Sequence, residues 1–195
     1  AKGNLNFKSY NLVKKMPSNK LSNYAFKNNG NCTYINTTRL WGLQMPTVSN
    51  AAVYVDLDND GDLDLIIGNN NEFVQVYQNQ ARQQDPRVNY LQIQLTGNTL
   101  NTAALGTRIQ LITDTLQQWL ECYPVKGYQS SIAAAWHFGI GQYKKVDTLK
   151  VVWPGGGTSV LTNVQANQTL ALMQPNSDKP AMQPLWQSAV SPWLT

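Results

Sequence analysis

The chain has 195 residues, a formal net charge of +4 and 42% hydrophobic residues. This length allows one or two domains, and the apolar content excludes a disordered chain. Only 13% of the residues are charged, and the lysines and arginines are scattered, which argues against a nucleic-acid-binding surface. No apolar run approaches the roughly 18 residues of a transmembrane helix, and no signal peptide is recognisable.

The first half of the chain predicts short strands. Residues 24–27 and 33–36 read as a hairpin, because the Asn29-Gly30 pair between them supplies the positive φ of a tight turn. Further strands are predicted at 51–55, 63–67 and 73–77, where β-branched and aromatic residues concentrate.

The most informative stretch lies between two of these strands. It holds five of the eleven acidic residues of the chain, namely Asp56, Asp58, Asp60, Asp62 and Asp64. Such carboxylates repel one another by about 1 kcal/mol per pair at 4 Å even in water. A cation is therefore expected among them, and Gly61 permits the sharp turn that lets alternate Asp residues converge. Hard carboxylate oxygens without His or Cys favour Ca²⁺.

The flanks of the acidic run separate it from an EF-hand. An EF-hand has flanking helices and a bidentate Glu at loop position twelve, whereas position twelve counted from Asp56 is Ile67 and the flanks read as strands. The run is therefore predicted to be the turn of a β-hairpin. Its expected side-chain ligands are Asp56, Asp58, Asp60 and Asp64, and Asp62 is expected to offer its backbone carbonyl. The alternative is a solvated acidic turn without metal.

Residues 54–68, followed by 76–79, resemble an FG-GAP/VCBS repeat, the calcium-bearing blade of integrin-type β-propellers. Upstream, residues 26–34 and 41–43 resemble the end of a preceding blade. The segment 24–29 is also similar to 74–80, and this weak internal repeat predicts one complete blade plus half of its neighbour. Because a propeller needs at least about four blades, the chain is predicted either to be a fragment of a longer protein or to pack its blade on a second domain.

The second half predicts a β-sandwich, with short strands at 90–96, 107–113, 117–123, 146–153 and 168–173. Five segments there resemble the ASPIC/UnbV domain, which follows such repeats in cartilage acidic protein-like secreted bacterial proteins. These segments are 106–111, 127–131, 137–141, 146–155 and 163–168. In all, the two resemblances cover about residues 20–173.

The expected organisation is all-β, with a blade-like calcium-binding hairpin unit packed on or linked to a β-sandwich. Residues 1–85 form the predicted FG-GAP/VCBS-like partial propeller region, and residues 88–174 form the predicted ASPIC/UnbV-like sandwich. Residues 175–195 are rich in proline and read as a tail or linker.

No catalytic residue is predicted. His137 is the single histidine, its neighbours Trp136 and Phe138 are apolar, and no nucleophile motif accompanies it, so a packed structural role is expected. Outside the run at 56–64 the acidic residues are isolated in sequence, which disfavours the carboxylate pair of a glycosidase.

Aromatic residues carry the remaining functional signal. Trp119, Trp136 and Trp153 occur in strand-like stretches and are expected to pack in the core. The polar loop Tyr128-Gln129-Ser130 is the predicted ligand-binding site, with Tyr128 as its exposed aromatic. Two cysteines, Cys32 and Cys122, leave a disulfide and a pair of free thiols both open.

The sequence and its resemblances together predict an extracellular calcium-binding module for adhesion or for binding carbohydrate or protein, without catalysis. Its expected partner is an extracellular glycan or protein, and nucleic acid and a membrane span are not expected. The implied location is secreted or at the cell surface, at a bacterial outer membrane or in the periplasm. Two alternatives remain: an accessory fragment of a polysaccharide-acting enzyme, or a structural cap of a larger propeller protein.

Overall fold

The computed structural model describes residue 15, residues 19–132 and residues 135–175, and almost all of its regular structure is β. The predicted all-β fold class is confirmed. The chain packs into two units. One contains the described residues up to Ala52 together with Ile66–Val76, and the other contains Val53–Leu65 and the described residues from Tyr77 onward. Of the predicted tail at 175–195, only Pro175 lies within the described residues.

Near the start of the described chain, an antiparallel hairpin joins β1 (Phe26–Asn28) and β2 (Tyr34–Asn36), as the turn residues between them predict. Every residue of the two strands is exposed. A three-stranded sheet follows, in the order β3-β4-β5. Its strands are β3 (Ser49–Val55), β4 (Asp64–Asn69) and β5 (Gln75–Tyr77). The acidic run therefore connects two strands, as predicted.

One short helix, α1 (Ala81–Gln84), follows β5 near the end of the predicted FG-GAP/VCBS-like region. Within the part of the chain that the structure describes, no helix has the length and apolar character that a membrane crossing requires.

The rest of the second unit is sandwich-like. It contains a three-stranded sheet in the order β11-β6-β14, a four-stranded sheet in the order β13-β12-β7-β8, and a small hairpin of β9 and β10. Strand β14 runs parallel to β6, whereas the other sandwich pairings are antiparallel. The strands are β6 (Asn89–Thr96), β7 (Arg108–Ile112), β8 (Gln117–Glu121), β9 (Val125–Gly127), β10 (Ser130–Ser131), β11 (Ala135–Gly141), β12 (Lys145–Val152), β13 (Thr158–Gln165) and β14 (Gln168–Met173).

A single hydrophobic core fills the sandwich, formed by the inward-facing residues of both sheets. Trp136 and Trp153 are buried there, as predicted. The prediction for Trp119 was wrong, because its side chain is 55% exposed. The register explains this: Leu120 pairs with the buried Ile109 and shares its inward face, so its neighbour Trp119 must point outward.

Both cysteines are free thiols, so the possibility of a disulfide between them is not realised. Cys32 is exposed, whereas Cys122 belongs to the core. Burial raises the pKa of the Cys122 thiol to about 12, since removal from water disfavours the thiolate.

Candidate metal centre

The acidic loop spans the gap between β3 and β4 and turns at two residues with left-handed backbone. Asn59 has φ 59° and Gly61 has φ 91°. Asn is one of the few residues besides Gly that adopts this conformation readily. The two turns fold the loop back on itself, so that Asp56 and Asp58 lie near Asp64 at the start of β4.

Three carboxylates converge inside this loop. Single oxygen atoms of Asp56, Asp58 and Asp64 all lie within 4.8 Å of one another. At that separation, and at an effective dielectric constant near 20, each charged pair repels by roughly 3–4 kcal/mol. This repulsion would be offset by a cation bound between the three groups. A donor set of carboxylate oxygens suits a hard cation such as Ca²⁺ better than zinc or copper.

Main-chain hydrogen bonds hold two of the three carboxylates in place. Asp56 accepts from the backbone N–H of Asp60 at 3.1 Å through Oδ1 and from that of Gly61 at 3.0 Å through Oδ2. Asp64 is 2% exposed, and its Oδ2 accepts from the backbone N–H of Leu57 at 3.0 Å. Each bond leaves lone pairs of the carboxylate for a further partner. The loop is therefore oriented by its own backbone.

The segment between β5 and α1 supports the same carboxylates from outside the loop. The side-chain amide of Gln78 donates to Asp58 Oδ2 at 2.9 Å. The backbone N–H of Asn79 donates to Asp64 Oδ1 at 2.8 Å. Charged acceptors make hydrogen bonds that are stronger than those between neutral groups. Partners that lie 15 and 20 positions further along the chain thus help to fix two of the three converging groups.

Asp60 and Asp62 do not belong to the converging group. Asp62 is 5% exposed, and its Oδ2 accepts from the backbone N–H of Arg82 at 2.7 Å. Asp60 Oδ1 accepts from the backbone N–H of Asp62 at 2.8 Å, and the Gln83 amide donates to Asp60 Oδ2. The bond from Asp62 is the largest reason why the pKa of the Asp60 carboxyl is lowered. Both side chains therefore have structural partners, and the full ligand set remains a prediction.

The loop also lies against the outward side of the three-stranded sandwich sheet. The carbonyl oxygen of Gly61 is 2.9 Å from Nε2 of His137 on β11. The His137 ring stacks on Tyr90 of β6, with centroids 5.4 Å apart and planes 6° apart. A Cβ on Gly61 would overlap the Tyr90 ring, so only glycine fits at this contact.

Arg82 completes the contact between loop and sheet. Its guanidinium donates to the carbonyl of Asp60 and lies over the Tyr90 ring, 5.1 Å from the centroid. One cation thus neutralises part of the acidic loop while it packs on an aromatic face. Sequence reasoning did not identify Arg82 or Tyr90, because contacts across some twenty or more residues leave no pattern along the chain.

The predicted ligand-binding loop forms the turn of the β9–β10 hairpin. Tyr128 is 67% exposed and Gln129 is exposed as well. Ser130 is buried, and its hydroxyl donates to the carbonyl of Tyr128 at 2.8 Å. Two of the three residues are therefore accessible, and the third stabilises the turn that presents them.

The strands that follow β6 can be compared with known families. Residues 97–179 match the family model of ASPIC and UnbV. The ASPIC/UnbV part of the resemblance is thus confirmed, and domains of this family occur in extracellular or secreted proteins. The acidic loop lies outside the ASPIC/UnbV match, and its likeness to FG-GAP/VCBS repeats stays a prediction. No curated protein matches the chain.

Proposed function

We propose that this protein is an extracellular calcium-binding module that attaches to a glycan or protein partner and has no catalytic role. The observation that carries the calcium proposal is the convergence of Asp56, Asp58 and Asp64 within 4.8 Å. The match to ASPIC/UnbV supports the extracellular setting, where calcium is abundant enough for sites with Kd of about 10⁻⁴–10⁻³ M.

Calcium in this proposal is structural. The loop holds its carboxylates by main-chain bonds to Asp56 and Asp64, and it rests on Tyr90 and His137 of the sandwich. A cation that relieves the carboxylate repulsion would stabilise the loop and, through Gly61, its contact with the sheet. The expected consequence is a second unit that is more resistant to unfolding when calcium is bound.

The proposed binding role rests on the exposed turn of the β9–β10 hairpin. An exposed tyrosine provides a flat apolar face and a hydroxyl, and such residues recur at the centres of binding sites. The hydrogen bond from Ser130 limits the freedom of the turn, so little conformational entropy would be lost on binding. His137 supports the absence of catalysis, because its Nε2 is already engaged by Gly61.

A glycan array probed with the full chain, in calcium and in EDTA, tests this proposal. We expect specific binding in calcium that weakens in EDTA and that falls roughly tenfold or more in Tyr128→Ala. Tyr123→Ala is the matched control, because Tyr123 is another exposed tyrosine, at 58%. Binding that is unchanged both in EDTA and in Tyr128→Ala would contradict the proposal. Sugar hydrolysis that disappears in His137→Ala would also contradict it.

A further inference from the structure

The outward side of the four-stranded sheet, here called the outer face, carries side chains that are half-buried on the central strands and mostly exposed on the edge strands. Its middle row runs across four strands in register. Val160 pairs with Lys150, Lys150 pairs with Gln110, and Gln110 pairs with Trp119. The inward neighbours on the two central strands are fully buried, so the row itself points away from the core. The outer face lies entirely within the ASPIC/UnbV match.

Trp119 is the prominent apolar group of the outer face. At 55% exposure it leaves much of an indole ring in water, whereas Trp is highly buried on average. It sits on β8, an edge strand of the sheet, with the polar Gln110 directly opposite. A flat aromatic surface beside amide groups matches a sugar ring, which has an apolar C–H side and a rim of hydroxyls.

Two cations on the outer face form no ion pair with an acid among the described residues. Arg108 and Lys150 occupy adjacent strands and are diagonal neighbours, since Lys150 pairs with Gln110 and Arg108 pairs with Val152. Among the described residues, Lys20, Arg87 and Lys145 each form an ion pair with an acid, whereas Arg108 and Lys150 do not. Glu121 lies opposite Arg108 at the sheet edge and forms no ion pair with it, whereas the partly exposed Asp147 of β12 already pairs with Lys145.

We propose that the outer face binds a uronic-acid polysaccharide. The C–H side of one sugar ring would stack on Trp119, and a carboxylate would be held by Arg108 and Lys150. Gln110, between them, would hydrogen bond to a hydroxyl. The planar guanidinium of Arg matches a carboxylate through two parallel hydrogen bonds.

The number of charges selects this ligand among sugars. A neutral glycan would leave the two free cations unused. A densely sulfated glycan would need a longer row of cations than the outer face offers, and it would meet Glu121 unfavourably. A uronic-acid chain carries one carboxylate per sugar unit, which gives Arg108 and Lys150 a partner and places fewer negative charges near Glu121 than a sulfated chain would. The inference adds a second sugar site to the proposed glycan-binding role, and this site uses neither the metal loop nor Tyr128.

Titration calorimetry of the full chain tests the inference. The probe is a short galacturonate oligomer, too short to gel with calcium, compared with its methyl ester and with a sulfated glucan oligomer. We expect the acid to bind, the ester to bind at least about tenfold more weakly and the sulfated oligomer to bind no better than the acid. Added salt should weaken the binding of the acid, because Arg108 and Lys150 are partly exposed to solvent.

Variants locate the site. Trp119→Ala should weaken binding of the acid by roughly tenfold or more, and Trp119→Phe should restore part of it. Arg108→Gln and Lys150→Gln should remove most of the difference in affinity between the galacturonate oligomer and its methyl ester. Lys145→Gln is the matched control. It removes a positive charge from β12, the strand that carries Lys150, but Lys145 already forms an ion pair with Asp147. Unchanged melting temperatures would show that the variants fold.

Other outcomes would overturn the inference. Equal binding of acid and ester, or no effect of Trp119→Ala, would exclude the outer face as a uronic-acid site. A chain that self-associates and becomes monomeric in Trp119→Ala would instead make this face a contact between copies. Loss of binding in Tyr128→Ala but not in Trp119→Ala would assign the sugar to the hairpin turn. Binding of the galacturonate oligomer should persist in Asp58→Asn. The calcium proposal can therefore fail without any effect on this test of the outer face.

Discussion

Nε2 of His137 lies 2.9 Å from the carbonyl oxygen of Gly61, across 76 residues of sequence. A carbonyl can only accept a hydrogen bond, so Nε2 carries the proton and donates. The only histidine of the chain therefore fixes the acidic loop to the sandwich. This role agrees with the expectation of a packed structural histidine, although its partner could not be foreseen.

Replacement of His137 tests the strength of this connection. We expect His137→Ala to lower the free energy of unfolding by about 1–2 kcal/mol, because the hydrogen bond to Gly61 and the stacking on Tyr90 are both lost. Chemical denaturation without calcium measures the change. Gln94→Ala is the control, since Gln94 is exposed on the neighbouring strand and pairs with Ala135. Equal stability of the two variants would contradict the structural role.

A methyl group at position 61 should lower stability far more than one at another glycine with positive φ. Gly61→Ala places Cβ against Tyr90 and keeps φ near +91°. Gly106 has φ +79°, and no atom lies within 4 Å of the position that a Cβ would take there. Both variants carry backbone strain of about 1–3 kcal/mol, and Gly61→Ala adds the clash. Thermal melts should show the larger loss for Gly61→Ala; a larger loss for Gly106→Ala would refute the contact.

The sequence predicted the location of the loop well and its surroundings poorly. Alternate Asp residues, a glycine and flanking strands are local features, so the hairpin and its acidic turn could be foreseen. Which carboxylates converge depends on the path of the loop: Asp62 turns to the backbone of Arg82 and Asp60 to Asp62. Those contacts depend on residues after β5, and no local pattern specifies them.

In the sandwich too, local features could be predicted from the sequence and long-range contacts could not. Several strands rich in β-branched residues were predicted. Trp136 was expected in a strand-like stretch, but the extent of β11 was not predicted, because Gly139 and Gly141 weaken its strand pattern. The exposure of Trp119 follows from the inward direction of Leu120, which is fixed by its pairing with Ile109. Strand register of this kind is a long-range property, and composition alone favoured a buried tryptophan.

Asp58 and Asp62 should respond differently to substitution. Asp58 is exposed and belongs to the converging group, so Asp58→Asn should weaken calcium binding roughly tenfold or more while calcium-free stability is retained. Asp62→Ala should lower calcium-free stability by about 1–3 kcal/mol, since it leaves the N–H of Arg82 without its acceptor. Calorimetry and denaturation separate the two effects, and identical behaviour of both variants would show that these roles are wrong.

The two thiols should react at very different rates. Cys32 is exposed, whereas the pKa of Cys122 is raised to about 12 by burial, which leaves little thiolate to attack a reagent. We expect a thiol reagent to label one cysteine in the folded protein and two in guanidinium. Mass spectrometry of the labelled peptides identifies the site. Rapid labelling of Cys122 in the folded state, or none of either residue after unfolding, would contradict the assignment.

The central claim is that the loop of residues 56–64 binds calcium, and isothermal titration of the calcium-free protein tests it most directly. We predict one site that is greatly weakened in Asp58→Asn. A matching rise in melting temperature should correspond to roughly 2.7 kcal/mol at a hundredfold excess of calcium over Kd. Absence of binding heat, together with the same melting temperature in calcium and in EDTA, would contradict the claim.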